Sequence, residues 1–289
     1  MTAPSDETAY TMPSRPILGK AYGVGSMGPR SIRKGVSSLT TPLNSTKEGE
    51  SRTYVWPPTG ESFPSVTTIL STLNKPALVN WAARQAATYA VKERQRLMFM
   101  DKAAAIEEIA TTHKRVTDLS SDVGTHVHEC IDSVIAQMDP PNPWPEHMRH
   151  FEAWRNVYKP EFIMSEATVY NRSVCYAGTF DILARIGDVM TLIDVKTGKN
   201  IYPEVALQLA AYANGEFYGA HDKVHDTWCE MKLPKIEAAG VLHLRMTGWR
   251  YMSADIGPEV FQAFRHINEA WRWSAYGSHN VLGAKGLLQ

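Results

Sequence analysis

The sequence predicts an α+β fold in which helices come first and a mixed sheet-and-helix unit follows. Three observations carry this. Apolar residues recur at helical spacing between about residues 64 and 158. Segments rich in Ile, Val and Thr, separated by turn residues, then fill 161–196. Helix and strand patterns interleave from there to about residue 275.

In chain order, 24 of residues 1–50 are Ser, Thr, Pro or Gly, with no hydrophobic period, so 1–52 reads as a disordered, mildly basic arm. Gly23-x-Gly25-x-x-Gly28 has dinucleotide-binding spacing. It is rejected because Pro29 and a Ser/Arg/Lys stretch stand where an apolar helix is required. Order is expected from about Tyr54. Ser65 suits an N-cap for Val66, Ile69, Leu70 and Leu73, and Pro76 suits the first turn of a new helix. Helical composition runs to about Met138, with a break expected near 115–122. The Pro-rich stretch 139–145 stops it, and a further helix fits 146–158. Strands fit 161–172, 174–186 and 189–196, and Gly187-Asp188 suits a two-residue type II′ turn between the last two. A helix fits 203–219, strands fit 238–246 and 249–255, and a last helix fits 258–275. The expected organisation is a helical unit 53–158, an α/β core 159–277 and a tail 278–289.

Thirty Lys and Arg balance thirty Asp and Glu, which disfavours a purely electrostatic nucleic-acid binder but not an enzyme that grips a polyanion locally. No apolar run is long enough for a membrane span, and the first residues lack the pattern of a signal peptide. A cytoplasmic, reducing location with no membrane contact is therefore expected. Cys130, Cys175 and Cys229 are too few and too scattered for a disulfide scaffold or a four-cysteine cluster.

The informative stretch runs from Tyr176 to Gly198. A two-residue turn at 187–188 pairs residues whose numbers sum to 375, which sets Asp181 opposite Asp194 on one face with Cβ atoms about 4.5–5.5 Å apart. Lys196 falls on the same face. Facing carboxylates on apolar strands are tolerable if they share a proton or bind a cation. Oxygen ligands of this kind suit magnesium or manganese. A lysine beside such a cation could stabilise charge on a phosphoryl oxygen. The plain alternative is a surface Asp–Lys pair on an ordinary hairpin. Gln208 and Tyr212, four apart, share a helix face, or else are a solvated glutamine and a core-edge tyrosine. His128, in Gly124-Thr125-His-Val-His128, is a metal-ligand candidate or a hydrogen-bonded core histidine.

Taken together, Gly124-Thr125-x-x-His128, Glu166, Gly178-x-x-Asp181, Asp194-Val195-Lys196 and Gln208-x-x-x-Tyr212 resemble the blocks of the PD-(D/E)xK nuclease superfamily, in its RecB-type and phage exonuclease branch. Phe63 to Leu70 followed by Trp81 is also similar to the front of phage exonucleases and of mitochondrial genome-maintenance exonucleases. The resemblance spans roughly residues 54–275. It implies a restriction-endonuclease-like core, a mixed central sheet flanked by helices, with an N-terminal helical cap. It implies magnesium- or manganese-dependent hydrolysis of phosphodiester bonds from DNA ends, by in-line attack of water, in recombination, repair or replication. Asp181 and Asp194 would ligate the cations with the Val195 carbonyl, and His128 would be a further ligand. Lys196 would orient or activate the water. Gln208, Tyr212 and Thr125 would position the DNA, and Glu166 matches an acidic residue on the first core strand. DNA, and a single-strand annealing protein, are the implied partners. CRISPR-associated relatives carry four cysteines for an iron–sulfur cluster; with three cysteines, no cluster is expected here. An endonuclease of the same superfamily, or a non-catalytic DNA-binding recombination protein, are the rival readings.

Other clusters are weaker. His126, His128 and Cys130 stand two apart on a predicted helix and cannot converge. His221, His225 and Cys229 have helical spacing but no fourth ligand. Arg84, Lys92, Arg94 and Arg96 suit either a DNA channel or a solvated helix face.

Overall fold

The computed structural model describes residues 45–48, 51–73, 75–222 and 224–277. The expected tail 278–289, the glycine motif at 23–28 and most of the expected arm lie outside the described residues. Strands begin earlier than expected. Strands β1 (Ser45–Glu48), β2 (Ser51–Trp56) and β3 (Glu61–Pro64) form an antiparallel sheet in the order β1-β2-β3. Tyr54, Trp56 and Phe63 on its inner side pack with Tyr170 and Phe217, which gives short polar-flanked strands a reason to pair.

Ser65 caps helix α1 (Val66–Leu70), and its Oγ accepts from the Thr68 N–H at 2.9 Å. Helix α2 (Pro76–Lys92) starts on Pro76 as the sequence predicts. Helices α3 (Arg94–Leu97), α4 (Lys102–Ala110) and α5 (Thr112–Ile135) follow. The break expected near 115–122 is absent: α5 runs straight through. The hydroxyls of Thr117 and Ser120 bond the carbonyls four residues back, so these poor helix formers stay inside it. None of the residues of α2, α3 or α4 is buried. A polar cluster of Arg96, Glu108 and Tyr89 ties these helices together. Helix α6 (Glu146–Tyr158) matches its expected range and ends on Lys159 in a left-handed conformation.

Strands β4 (Glu161–Asn171), β5 (Tyr176–Ile186) and β6 (Val189–Lys196) come next, then helix α7 (Glu204–Ala213), strands β7 (Phe217–Asp222), β8 (Thr227–Lys232), β9 (Ala238–Arg245) and β10 (Gly248–Ala254), helix α8 (Pro258–Arg272) and a π-helical turn at Trp273–Gly277. The helix expected over 203–219 therefore stops early, and its last residues are β7. Gly215 sits where a Cβ would meet the Val169 side chain at 2.9 Å, so the chain turns onto the sheet there. Asn171 holds the turn by donating to the Asn214 carbonyl. Once turned, Phe217 stacks on Tyr170.

The main sheet has seven strands in the order β10-β9-β6-β5-β4-β7-β8, mixed because β6 and β9 are parallel and the remaining pairs antiparallel. One face packs on α1, α7 and α8 through Ile69, Leu209 and Phe264. The other packs on α5 and α6 through Val127, Ile131, Phe151 and Trp154. Both ends of the segment expected as a helical unit, α1 and α6, thus belong to the core layers. No helix among the described residues is long and apolar enough to cross a membrane.

Phe264 is fully buried and meets the Tyr176 ring edge-on at 5.0 Å. Phe264→Ala should cost about 3–5 kcal/mol in urea denaturation. A change within about 0.5 kcal/mol, as at a surface site, would contradict the packing of α8 on the sheet.

Candidate metal centre

The turn at 187–188 sets the register as the sequence predicts. Gly187 has φ +60°, and the ladder pairs Ile186 with Val189 through to Ile182 with Ile193. The next pair, Asp181 and Asp194, does not form, so the expectation of two directly opposed carboxylates is corrected. The reason is a change of pleat. Before residue 181, Tyr176 and Phe180 point to the α7–α8 face; after it, Leu183 does, while Ile182 turns to the α5–α6 face. On the neighbouring strand Glu166 has φ +48°, and the 166–181 pair is missing from the ladder as well. The sheet is thus pried open on both sides of Asp181. Its carboxylate fills the gap and accepts the Val195 N–H at 2.6 Å.

Helix α5 supplies His128 to this opening. Gly124, one turn earlier, lets α5 come close: a Cβ there would stand 3.2 Å from the Thr197 hydroxyl. His128 Nε2 lies 3.1 Å from the Val195 carbonyl oxygen, and Nδ1 lies 3.5 Å from a carboxylate oxygen of Glu166 and 3.5 Å from one of Asp181. One atom from each of these three half-buried residues falls within 4.8 Å of the others, a set that could hold a metal ion. The Val195 carbonyl, a candidate ligand on sequence grounds, instead engages His128. By accepting from Nε2–H it would leave Nδ1 to face a cation.

Asp194 is 2% exposed and stands beside this trio without joining it. Its Oδ1 accepts from Lys196 Nζ at 2.7 Å and from Gln208 Nε2 at 3.3 Å. Gln208 also donates to the Tyr212 hydroxyl, 3.2 Å away. The Asp194 Oδ2 is buried with no hydrogen-bond partner. A buried acceptor left bare is costly, and a cation beside the trio would relieve it. Tyr212 in turn depends on Gly178, where a Cβ would lie 2.4 Å from the ring.

Burial pushes Asp181 above the usual carboxylate range against the pull of His128 and Lys196. Burial also raises Asp194 to about 6, with Lys196 opposing and Asp181 reinforcing. Burial alone would lower His128, but Asp181 and Glu166 outweigh it and raise the imidazole to about 9. Lys196 is likewise raised, burial being outweighed by Asp194 and Asp181, so it stays an ammonium.

A cleft of about 650 Å³ opens over the trio. Thr125, His128, Glu166, Val195 and Lys196 line it, so Thr125 is on its wall as expected. Sequence reasoning missed Arg52, Thr179 and Asp132 there. Asp132 was the most accessible of these, since it stands four residues after His128 on one helix. Arg52 gave no signal, because it reaches the cleft only through the packing of β2, whereas Thr179, two residues before Asp181 on one strand, was open to the same spacing argument as Lys196. Among the described residues neither discounted cluster brings its three members together, although Cys130 Sγ lies 4.0 Å from His126 Nε2. His126 and Cys130 are hydrogen-bonded to the carbonyls of Pro143 and Pro141, while His221 pairs with Asp226 and His225 with Asp222. Compared with sequence-family models and with curated proteins, the chain gives no match.

Two predictions arise here. Gly178→Ala should displace the Tyr212 ring and cost about 1–3 kcal/mol by overpacking; an unchanged urea midpoint would contradict the close approach. The second concerns pH. Asp194, raised from 3.8 to about 6, favours folding at low pH and loses that contribution as pH rises through 6. His128, raised from 6.5 to about 9, does the same up to 9. A cation offsets both losses. The gain in melting temperature on replacing chelator with manganese should therefore grow from about pH 4 to about pH 9. A gain independent of pH would contradict protonation of these groups in the cation-free protein.

Proposed function

We propose that the chain is a divalent-metal-dependent deoxyribonuclease of the PD-(D/E)xK type, acting on DNA ends. The observation that carries this is the convergence of His128, Glu166 and Asp181 beside an Asp194–Lys196 pair, where the sheet opens around Asp181. The seven-stranded mixed sheet, with helices on both faces, is compatible with a restriction-endonuclease-like core. Helices α2–α4, without buried residues, suit a cap through which a strand end could pass.

The donor set supports a hard cation. Two carboxylates suit magnesium or manganese, and the imidazole favours manganese, since magnesium prefers oxygen ligands in strict octahedral geometry. Such a cation would lower the pKa of an attacking water and neutralise charge on the phosphoryl group. Its ligands would be His128, Glu166 and Asp181, with the bare Asp194 Oδ2 next to them. Lys196, held by Asp194, would orient the water or meet the developing charge with its ammonium group. Gln208 and Tyr212 keep Asp194 Oδ1 in place, and through it Lys196. Thr125, on the cleft wall, would position the DNA backbone. DNA is the proposed partner, with no iron–sulfur cluster required, and a single-strand annealing protein is a proposed co-worker.

The test compares linear double-stranded, linear single-stranded and closed-circular DNA with manganese, magnesium or chelator. Loss of linear DNA alone, faster with manganese and absent with chelator, is the expected outcome. Lys196→Ala should lower the rate by about 10²–10³-fold, the scale of one transition-state donor, while manganese binding persists. Full turnover in Lys196→Ala would refute its role, cutting of circles would favour an endonuclease, and binding without cleavage would favour an accessory protein.

A further inference from the structure

A second groove, of about 690 Å³, lies between the segment after β6 and the β9–β10 hairpin. Lys199, Tyr202, His243, Arg245, Trp249 and Arg250 line it, and no carboxylate does. The strand register explains the clustering. His243 on β9 pairs across with Arg250 on β10, and Arg245 follows His243 by two, so all three share a face. His243 is buried, whereas Arg245 and Arg250 are exposed, as is Lys199. Among the described residues none of these three cations has an ion-pair partner, unlike Arg96, Arg172 or Arg185, which are each paired with glutamates. Unpaired like charges gathered in one groove repel each other, and an anion would relieve that.

Its place in the fold says which anion. The His243 ring nitrogen Nε2 is 2.7 Å from the Gly198 carbonyl oxygen, and Gly198 lines the cleft over His128, Glu166 and Asp181. Lys199 is the next residue. The two depressions therefore adjoin along the chain at residues 198–199. Tyr202 and Trp249 add aromatic surface beside the cations, the combination that suits a nucleic-acid strand.

We propose that this groove is a backbone-binding site for the nucleic-acid strand that runs on from the cleft, with Lys199, Arg245 and Arg250 each neutralising a phosphate. The inference rests on the nuclease reading for its choice of ligand, and its test separates the two. Binding of a labelled single-stranded DNA oligonucleotide to the full chain is followed by fluorescence anisotropy in chelator, from low to physiological salt. R245Q/R250Q and, separately, K199Q should bind more weakly. The slope of log affinity against log salt should fall by about 1.4 for the double variant and about 0.7 for the single one. Should the double variant melt early, K199Q, outside any strand, carries the test. Unchanged affinity and slope in both variants, or no binding by the wild type, would overturn the site. If the wild type degrades DNA with metal while the variants bind unchanged, the groove is wrong and the nuclease reading stands. If binding responds as expected but no metal supports cleavage, the groove stands and the nuclease reading fails.

Discussion

The site depends on keeping three carboxylates, Glu166, Asp181 and Asp194, together in a partly water-excluded opening of a sheet. Unrelieved, such a group would be driven apart or protonated. The protein answers with two cationic side chains from different elements, His128 from α5 and Lys196 from β6. The relief is incomplete. Asp194 still rises to about 6, and its second oxygen remains bare. A site so balanced could hold a cation.

The scaffold makes that balance possible by breaking its own regularity in a few places. The left-handed Glu166 and the pleat switch at Asp181 open the ladder, and the Val195 N–H then fixes the Asp181 carboxylate in the gap. Gly124 and Gly178 remove side chains where α5 and Tyr212 must approach. Flanking hydrophobic layers, with Phe180 and Leu192 on one side and Ile182 and Ile193 on the other, hold the strands rigid around the opening. Ordinary packing thus supports the left-handed backbone at Glu166.

Much of this was legible in the sequence, because it was local. The Gly187-Asp188 turn fixes the β5–β6 register by chain connectivity alone, and the spacing of Gln208 and Tyr212 fixes a shared helix face. Asp181 and Lys196 were therefore found as candidates, whereas His128 came from the Gly124-Thr125-x-x-His128 block and its family resemblance. What escaped was non-local. The pairing of β2 and β3 depends on aromatic partners more than a hundred residues away. The segment Phe217–Asp222 carries a composition that continues the preceding helix, and the close approach of Gly215 to Val169, the Asn171–Asn214 hydrogen bond and the Phe217–Tyr170 stack show why it turns. The displacement of Asp194 from the set that could hold a metal ion, with Glu166 in its place, follows from a backbone kink that no side-chain pattern records.

The most direct test is to locate the cation itself. Crystals grown with manganese should give an anomalous difference peak within about 2.0–2.3 Å of His128 Nδ1 and of one oxygen each from Glu166 and Asp181, distances expected for a small hard cation. A peak at that position would establish the centre on which the whole account rests. A well-ordered site with no peak there, or a peak elsewhere on the protein, would contradict it.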